Sequence, residues 1–340
     1  MRCLTLADVL KKQGAHIRFL CKNLPAHLID MLIKTGMEYI ALGENLIEDS
    51  IDNLIDVNLF CISQKQDYQA TRNALSDQVW DWLIVDHYGL DFRWEGALRS
   101  SARHILVIDD IADRQHDCDI LLDQNYYADM QMRYDGKAPD HCQLLLGPDY
   151  SLLREEFRML REKIKIRNGK IKKILIFFGG VDSENYTTKA IEALSEINAE
   201  LQVDVVIGAQ HPFKEQIHSA CINNNYICHM QTPHIARLMA EADLALGAGG
   251  SASWERCCLG LPSLLVALAD NQIAIARELS DINACVYIGN RDEVNASNLK
   301  KWVRQLLANP NHIKKMSEKA FSITDGFGVF RVINKMRFYK

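Results

Sequence analysis

The chain has 340 residues, 48% hydrophobic and 24% charged, with a formal net charge of −5 at pH 7. This length predicts two domains, since domains usually contain roughly 100 to 200 residues, and the absence of a long basic run argues against a nucleic-acid partner. No apolar stretch reaches the ~18 residues that span a bilayer, and the first residues do not follow the export-signal pattern, so we expect no membrane partner and a cytoplasmic location.

The first half of the sequence alternates predicted helices and strands. Strands are predicted at residues 15–21, 38–42, 82–86 and 104–109, with weaker candidates at 119–122 and 144–147. Helices are predicted at residues 4–13, 25–35 and 151–166, with another ending near Gln78. This alternation favours a parallel sheet with helices on both faces.

The second half repeats this pattern after a predicted linker at residues 167–170. Strands are predicted at residues 173–178, 203–207, 226–229, 243–246, 263–266 and 284–288, with a helix at 183–197. We therefore predict an α/β protein with an N-terminal domain (1–166), a C-terminal domain (171–323) and a final helix (324–340). Both domains would be Rossmann-type, doubly wound parallel sheets. Because ligands bind beyond the carboxyl ends of such strands, the cleft between the domains is the expected site.

The most informative motif lies between residues 243 and 255. An apolar run enters Gly249 and Gly250, and Ser251 then opens a helix. Glycines let a backbone approach a diphosphate closely, and the first helical turn offers unpaired N–H groups. Glu255, four residues after Ser251, lies on the same helix face and could accept hydrogen bonds from ribose hydroxyls. The motif predicts a nucleotide site; an ordinary strand-to-helix turn is the alternative.

Polar residues also follow two predicted strands of the first half. Asp86, His87 and Tyr88 end one strand, and Asp109 and Asp110 end the next. His87 is either a catalytic residue or a capping and packing histidine. The aspartates are equally consistent with turn formation.

The ten cysteines are scattered without a C-x-x-C pair, so free thiols are expected rather than a disulfide framework. The neighbouring pairs His116 with Cys118 and His141 with Cys142 have no standard zinc-ligand spacing. We therefore predict no metal site and no cofactor.

Five sequence runs resemble one enzyme family. They are Val-Asp-His-Tyr-Gly at 85–89, Ile-Asp-Asp at 108–110, Asp-Ile-Leu-Leu-Asp-Gln-Asn at 119–125, Leu-Gly-Pro-Asp-Tyr-Ser-Leu-Leu-Arg-Glu-Glu-Phe at 146–157, and Phe-Gly-Gly-Val-Asp at 178–182. They resemble the UDP-2,4-diacetamido-2,4,6-trideoxy-β-L-altropyranose hydrolases of pseudaminic acid biosynthesis, which are relatives of GT-B glycosyltransferases such as MurG. The resemblance extends from Met1 to about Ile333. It implies a GT-B-like fold and metal-independent hydrolysis of a small-molecule UDP-sugar at its anomeric C–O bond.

The resemblance also implies roles for particular residues. Gly249, Gly250 and Ser251 would face the diphosphate, Glu255 the ribose, and the backbone near Ile235 the uracil. The donor sugar would contact Asn271 and Gln272. The cleft would be lined from the same side by Gly179, Gly180 and Asp182. Tyr88 would orient water or the sugar, and His87 is the further catalytic candidate.

The sequence departs from the family pattern at its start. In the family, a strand and a Gly-x-Gly-His loop precede the helix that begins here at Met1. The resemblance therefore implies that the family's first strand and general-base histidine have no counterpart in this sequence. Such a base contributes ~10² to 10⁴ in rate, so slow hydrolysis is expected. The two strands beside the absent one would have unpaired edges. A GT-B transferase and a UDP-sugar-binding protein without turnover are the alternative functions.

Overall fold

A computed structural model of the protein describes residues 1–43 and 57–339. The chain forms two compact units: Met1–Gln124, Asp129–Leu146 and Val329–Lys340 make up the first, and Asn125–Ala128 with Gly147–Gly328 the second. Residues 147–166, which the sequence analysis assigned to the N-terminal domain, therefore group with the second unit. The C-terminal residues from Val329 onwards group with the first.

Within residues 1–43 and 57–339 the strands form three parallel sheets. In the first unit they are β1 (Arg18–Cys21), β2 (Glu38–Ala41), β3 (Trp80–Asp86), β4 (Ala102–Ile108), β5 (Ile120–Asp123) and β6 (Gln143–Leu146). In the second unit they are β7 (Lys173–Phe177), β8 (Gln202–Ile207), β9 (Ile227–Met230), β10 (Leu244–Ala248), β11 (Ser263–Ala267) and β12 (Val286–Asn290). Each predicted strand corresponds to an observed one within a few residues.

Helices connect the strands. They are α1 (Arg2–Lys12), α2 (Ala26–Lys34), α3 (Val57–Ala74), α4 (Phe92–Ala97), α5 (Glu155–Arg161), α6 (Tyr186–Ser195), α7 (Lys214–Asn223), α8 (Ile235–Glu241), α9 (Ala252–Cys258), α10 (Asp270–Asp281), α11 (Ala296–Leu307), α12 (Pro310–Phe321) and α13 (Gly328–Arg337). Over residues 1–43 and 57–339, no helix combines the length and apolarity needed to cross a membrane.

The described strands of the first unit are divided between two sheets. One contains β1 and β2, and the other has the order β3-β4-β5-β6. The strands β1 and β3 begin close together, because the Arg18 guanidinium carbon lies 4.6 Å from the centroid of the Trp80 ring. No backbone ladder joins β1 to β3 in the described part of the chain. Each therefore has one edge without a strand partner there.

The second unit contains one six-stranded sheet with the order β12-β11-β10-β7-β8-β9. From the centre of the sheet, β7, β8 and β9 follow one another in one direction. Strand β10 lies on the other side of β7, and β11 and β12 continue in that direction. This is the doubly wound order of dinucleotide-binding domains. The central strands are apolar on both faces: Ile174 and Leu244 are completely buried on one face, and Leu175 and Ala245 are buried on the other. Burial under helices on both sides explains such continuous hydrophobic runs.

The predicted helix at residues 151–166 is observed only as Glu155–Arg161. The segment before it is extended rather than helical, since Arg154 has φ −60° and ψ 145°. Gly147, with φ 95°, adopts a left-handed conformation that favours glycine and introduces a short 3-10 turn at Pro148–Tyr150. Local backbone geometry therefore delays the start of the helix.

Candidate functional site

The two glycine turns of the second unit lie at the ends of its two central strands. Strand β7 pairs with β10, with Phe177 opposite Gly247. The chain then continues into Gly179 and Gly180 after β7, and into Gly249 and Gly250 after β10. This is the point where the strand order reverses, the usual ligand position in an open α/β sheet.

The turn at residues 249–251 has unengaged backbone donors. The N–H of Gly249 donates to the Val266 carbonyl at 3.1 Å. Within the described residues, the N–H groups of Gly250, Ser251 and Ala252 have no acceptor. Ser251 is exposed and its side chain makes no capping hydrogen bond. The turn and the first residue of α9 therefore present three consecutive N–H donors and a hydroxyl.

The turn contacts the start of α10. A Cβ added at Gly249 would lie 3.5 Å from the Gln272 Cβ, and one added at Gly250 would lie 3.5 Å from the Gln272 Nε2. The Gln272 Oε1 accepts a hydrogen bond from the Leu268 N–H at 3.0 Å, which fixes the amide. Asn271 is exposed beside it. Four predicted site residues are thus brought together: Gly249, Gly250, Asn271 and Gln272.

Glu255 is located on the first turn of α9, with its side chain 22% exposed. Its carboxylate lies 3.8 Å from a guanidinium nitrogen of Arg154, which also pairs with Glu156 at 2.7 Å. Burial raises the pKa of Glu255, and the positive charges of Arg154 and Arg256 oppose this rise. Arg154 therefore favours the ionised carboxylate, the form that accepts hydrogen bonds.

Ile235 begins α8, and its side chain is buried. In the described ranges, its backbone N–H has no acceptor because it lies in the first turn of the helix. The predicted contact with a base edge involves this backbone group rather than the side chain.

Asp182 lies close to the first glycine turn, but its carboxylate is already used. It accepts the N–H of Tyr186 at 3.0 Å and the N–H of Thr187 at 2.8 Å, so it caps α6. Asp182 itself has φ 38° and is buried. Gly180 is exposed, and its carbonyl accepts the Gly208 N–H at 3.1 Å. Asp182 thus stabilises the conformation of the turn, while Gly180 is exposed at the protein surface.

In the first unit, the polar residues after β3 and β4 form one cluster with α1. Arg2 pairs with Asp86 at 2.7 Å and with Asp110 at 2.8 Å. The Tyr88 hydroxyl donates to Asp110 at 2.8 Å, while the Tyr88 side chain is largely exposed. Burial of the hydroxyl and the nearby Asp110 charge raise the pKa of Tyr88 to about 12. At neutral pH Tyr88 is therefore a hydrogen-bond donor.

His87 and Asp109 have local hydrogen bonds. The exposed His87 accepts the Gly89 N–H at its Nδ1 at 2.9 Å, a turn contact. Asp109 is fully buried and accepts the Ala112 N–H at 2.8 Å. The His87 contact fits the capping alternative for this residue, and the Asp109 contact fits the turn-forming alternative for the aspartates.

Three arginines close to these residues were not among the predicted site residues. Arg154 was part of a quoted run without an assigned role, Arg2 lies in the helix that opens the chain, and Arg256 follows Glu255. The sequence contains a signal that Arg256 is buried. Five residues after Ser251, this arginine lies among Trp254, Cys257 and Cys258, on the buried side of α9. No comparable local signal marks Arg154, since its contact with Glu255 joins distant segments. Among the described residues, no group of His, Cys, Asp and Glu could hold a metal ion.

Comparison with known proteins supports the resemblance drawn from the sequence runs. Residues 174–327 match the family model described as the glycosyltransferase family 28 C-terminal domain. The chain is 27% identical over 274 residues to the UDP-2,4-diacetamido-2,4,6-trideoxy-beta-L-altropyranose hydrolase of Campylobacter jejuni, an alignment that covers 80% of this chain and 88% of that protein.

Solved structures show the same fold. MurG from Acinetobacter baumannii has a TM-score of 0.64 at 15% identity, covering 99% of this chain and 95% of that one. The UDP-GlcNAc 2-epimerase from Neisseria meningitidis, bound to UDP-GlcNAc, has a TM-score of 0.65 at 13% identity, covering 99% and 97%. At these identities the likeness concerns the fold alone, and it confirms the predicted GT-B-like class with two Rossmann-type domains.

Proposed function

We propose that the chain hydrolyses a UDP-linked 2,4-diacetamido-2,4,6-trideoxy sugar at its anomeric C–O bond, releasing UDP and the free sugar. The observation that carries this proposal is the turn at residues 249–251, whose free backbone donors lie beside Gln272 at the strand-order reversal. The 27% identity to a hydrolase with this named substrate supports the choice of sugar and reaction.

The diphosphate would bind at this turn. When the anomeric C–O bond breaks, negative charge develops on the β-phosphate oxygen. Fixed N–H donors such as those of Gly250 and Ser251 stabilise that charge as it forms, and one such donor contributes about 3 kcal/mol. Glycine suits the position because it leaves the outer surface of the turn open to the phosphates.

The nucleoside would be held by α8 and α9. The Glu255 carboxylate would accept the two ribose hydroxyls, and the free N–H of Ile235 would contact the uracil edge. Asn271 and Gln272 would contact the sugar. Gly179 and Gly180, at the end of the adjacent strand, would line the same side, and Asp182 would hold their turn in shape.

Tyr88 would orient water or the sugar by accepting a hydrogen bond at its phenolic oxygen, since its one proton is donated to Asp110. Its hydroxyl is protonated at neutral pH because its pKa is about 12. The Asp110 carboxylate accepts its proton and so orients the oxygen. His87 is the other proposed catalytic group, with its exposed ring.

A second candidate is a GT-B transferase that passes the sugar to an acceptor. The match to the glycosyltransferase family 28 C-terminal domain favours this class of reaction. The two functions differ in whether an acceptor is required.

The deciding experiment is incubation with the UDP-sugar alone, followed by separate quantification of UDP and free sugar. We expect both products in equal amounts, and a Glu255→Gln variant with about tenfold weaker UDP binding, since a lost charged hydrogen bond is worth about 1.5 kcal/mol or more. Glu162→Gln, which removes an exposed carboxylate that follows α5 and pairs with Arg158, is the matched control and should bind UDP normally. Release only with an added acceptor would establish the transferase, and UDP binding without release would establish a binding protein.

A further inference from the structure

Arg256 is a buried cation that the proposed contacts do not use. The residue is 2% exposed. One terminal nitrogen donates to the Ala248 carbonyl at 2.6 Å and to the Ser253 hydroxyl at 3.0 Å. The other terminal nitrogen lies 3.0 Å from the position that a Cβ on Gly247 would occupy. The guanidinium is therefore packed against the backbone of residues 247 and 248, which leads directly into the turn at 249–251.

The charge of Arg256 is poorly compensated. Within the described residues it forms no ion pair, and its Nε is buried without a hydrogen-bond partner. Glu255 acts on it only through a longer-range charge interaction, and burial lowers the pKa of the guanidinium. A buried charge without a paired carboxylate is destabilising to a fold.

An anion at the neighbouring turn would supply the missing compensation. The buried guanidinium contacts residues 247 and 248, and the free donors of the turn follow directly at residues 250 and 251 of the same backbone segment. Inside a protein, charges attract over a longer range than in water because the effective dielectric constant is lower. Direct contact between the guanidinium and the anion is not needed.

We propose that Arg256 is the buried counter-charge for the diphosphate of the ligand, so that the turn selects nucleoside diphosphates over uncharged nucleosides. This inference rests on the proposed function, because it takes the turn at 249–251 to be the diphosphate site. It makes Arg256 a positioning and specificity-determining residue that acts through the turn.

A purely structural role would have a different signature. If Arg256 served only to hold Ala248 and Ser253 in place, the hydrogen bonds would matter and the charge would not. The variants Arg256→Lys and Arg256→Gln separate these effects, because lysine keeps the charge and glutamine keeps a neutral donor.

The experiment is calorimetric titration of wild type and both variants with UDP, UMP and uridine at constant pH. We expect Arg256→Gln to weaken UDP binding about tenfold or more, UMP binding less, and uridine binding hardly at all, following Coulomb's law. Arg256→Lys should restore UDP binding to within a few-fold of wild type. Equal weakening of UDP and uridine, or unchanged UDP binding in Arg256→Gln, would overturn the inference.

A further variant keeps the inference testable if Arg256→Gln does not fold. Ser253→Asp retains the arginine but offers its guanidinium a carboxylate in place of the hydroxyl now 3.0 Å away. We expect its melting temperature to be retained and its UDP affinity to fall while uridine affinity persists. Unchanged UDP affinity would count against a counter-charge role. If the wild-type protein binds no UDP, the proposed function fails. If the wild type binds UDP and both Arg256→Gln and Ser253→Asp bind it equally well, only the inference about Arg256 fails.

Discussion

Glu255 and Arg154 show how two charged side chains at one site depend on each other. The Glu255 carboxylate is the proposed acceptor of hydrogen bonds from the ribose hydroxyls. Burial raises its pKa, which favours the protonated form. Arg154, 3.8 Å away, opposes that rise. The ionised state of Glu255 therefore depends on a side chain from the extended segment before α5.

Replacement of Arg154 by glutamine should make UDP binding sensitive to pH. Without the guanidinium the pKa of Glu255 rises further, so as pH falls the carboxylate is protonated earlier than in wild type and loses its acceptor role. We expect UDP affinity of Arg154→Gln to decline at a higher pH than that of wild type, measured by titration between pH 5 and 8. Arg158→Gln is the control, since Arg158 pairs with Glu155 and Glu162. Parallel pH profiles for all three proteins would contradict the coupling.

The segment after α5 is anchored within the second unit by Arg167, not exposed as a linker. The Arg167 side chain is buried and donates to the carbonyls of Met239 at 3.0 Å and Ala242 at 3.1 Å. It also donates to the carbonyl of Leu259, which follows α9. A cation placed on the carbonyls at a helix C-terminus is favourable, and here it ties two helix ends together.

Arg167→Leu should therefore destabilise the second unit. It would leave several buried carbonyls without donors, and we expect a loss of about 3 kcal/mol in the free energy of unfolding. Urea denaturation followed by circular dichroism measures this loss. Lys170→Leu removes an exposed cation three residues later and is the matched control. A stability equal to that of the control would show that these carbonyls do not depend on Arg167.

Across the whole molecule, the chain leaves the first unit briefly at Asn125–Ala128, leaves it again after Leu146 and returns to it at Val329. The returning segment packs on the β3-β4 side of that unit. The Tyr339 ring lies 5.6 Å from the Trp82 ring and 5.3 Å from the His104 ring, and its hydroxyl donates to the Asp119 carbonyl at 3.0 Å. The first unit therefore requires residues from both ends of the chain.

Removal of residues 329–340 should weaken the first unit selectively. The truncation deletes contacts to β3 and β4 together with buried apolar side chains such as Val332 and Ile333. We expect faster amide hydrogen exchange in β3 and β4, because loss of buried apolar surface lowers the local opening free energy. Exchange in β7 and β10 should stay close to that of the full chain. Uniform acceleration in both units would argue against a selective effect.

Much of the fold could be predicted because its signals are local. Short apolar runs bounded by Gly, Asp and Asn marked the strands, and the end of β10 with Gly249, Gly250 and Ser251 marked the turn. Boundaries were less predictable. Residues 151–153 have helix-compatible composition, but the left-handed Gly147 and the extended Arg154 start α5 later. The placement of residues 147–166 in the second unit had no local signal at all.

The sequence by itself determined the α/β alternation and the strand-turn-helix motif that carries the proposed diphosphate site, because hydrophobic period and glycine chemistry act over a few neighbouring residues. Only the tertiary structure decided that Arg154 faces Glu255 and that Gln272 lies against Gly250. It also decided that Arg256 is buried without a carboxylate partner in the described residues. These features arise from the packing of segments far apart in the chain, and a charged side chain's burial and partners depend on that packing, which local periodicity does not encode.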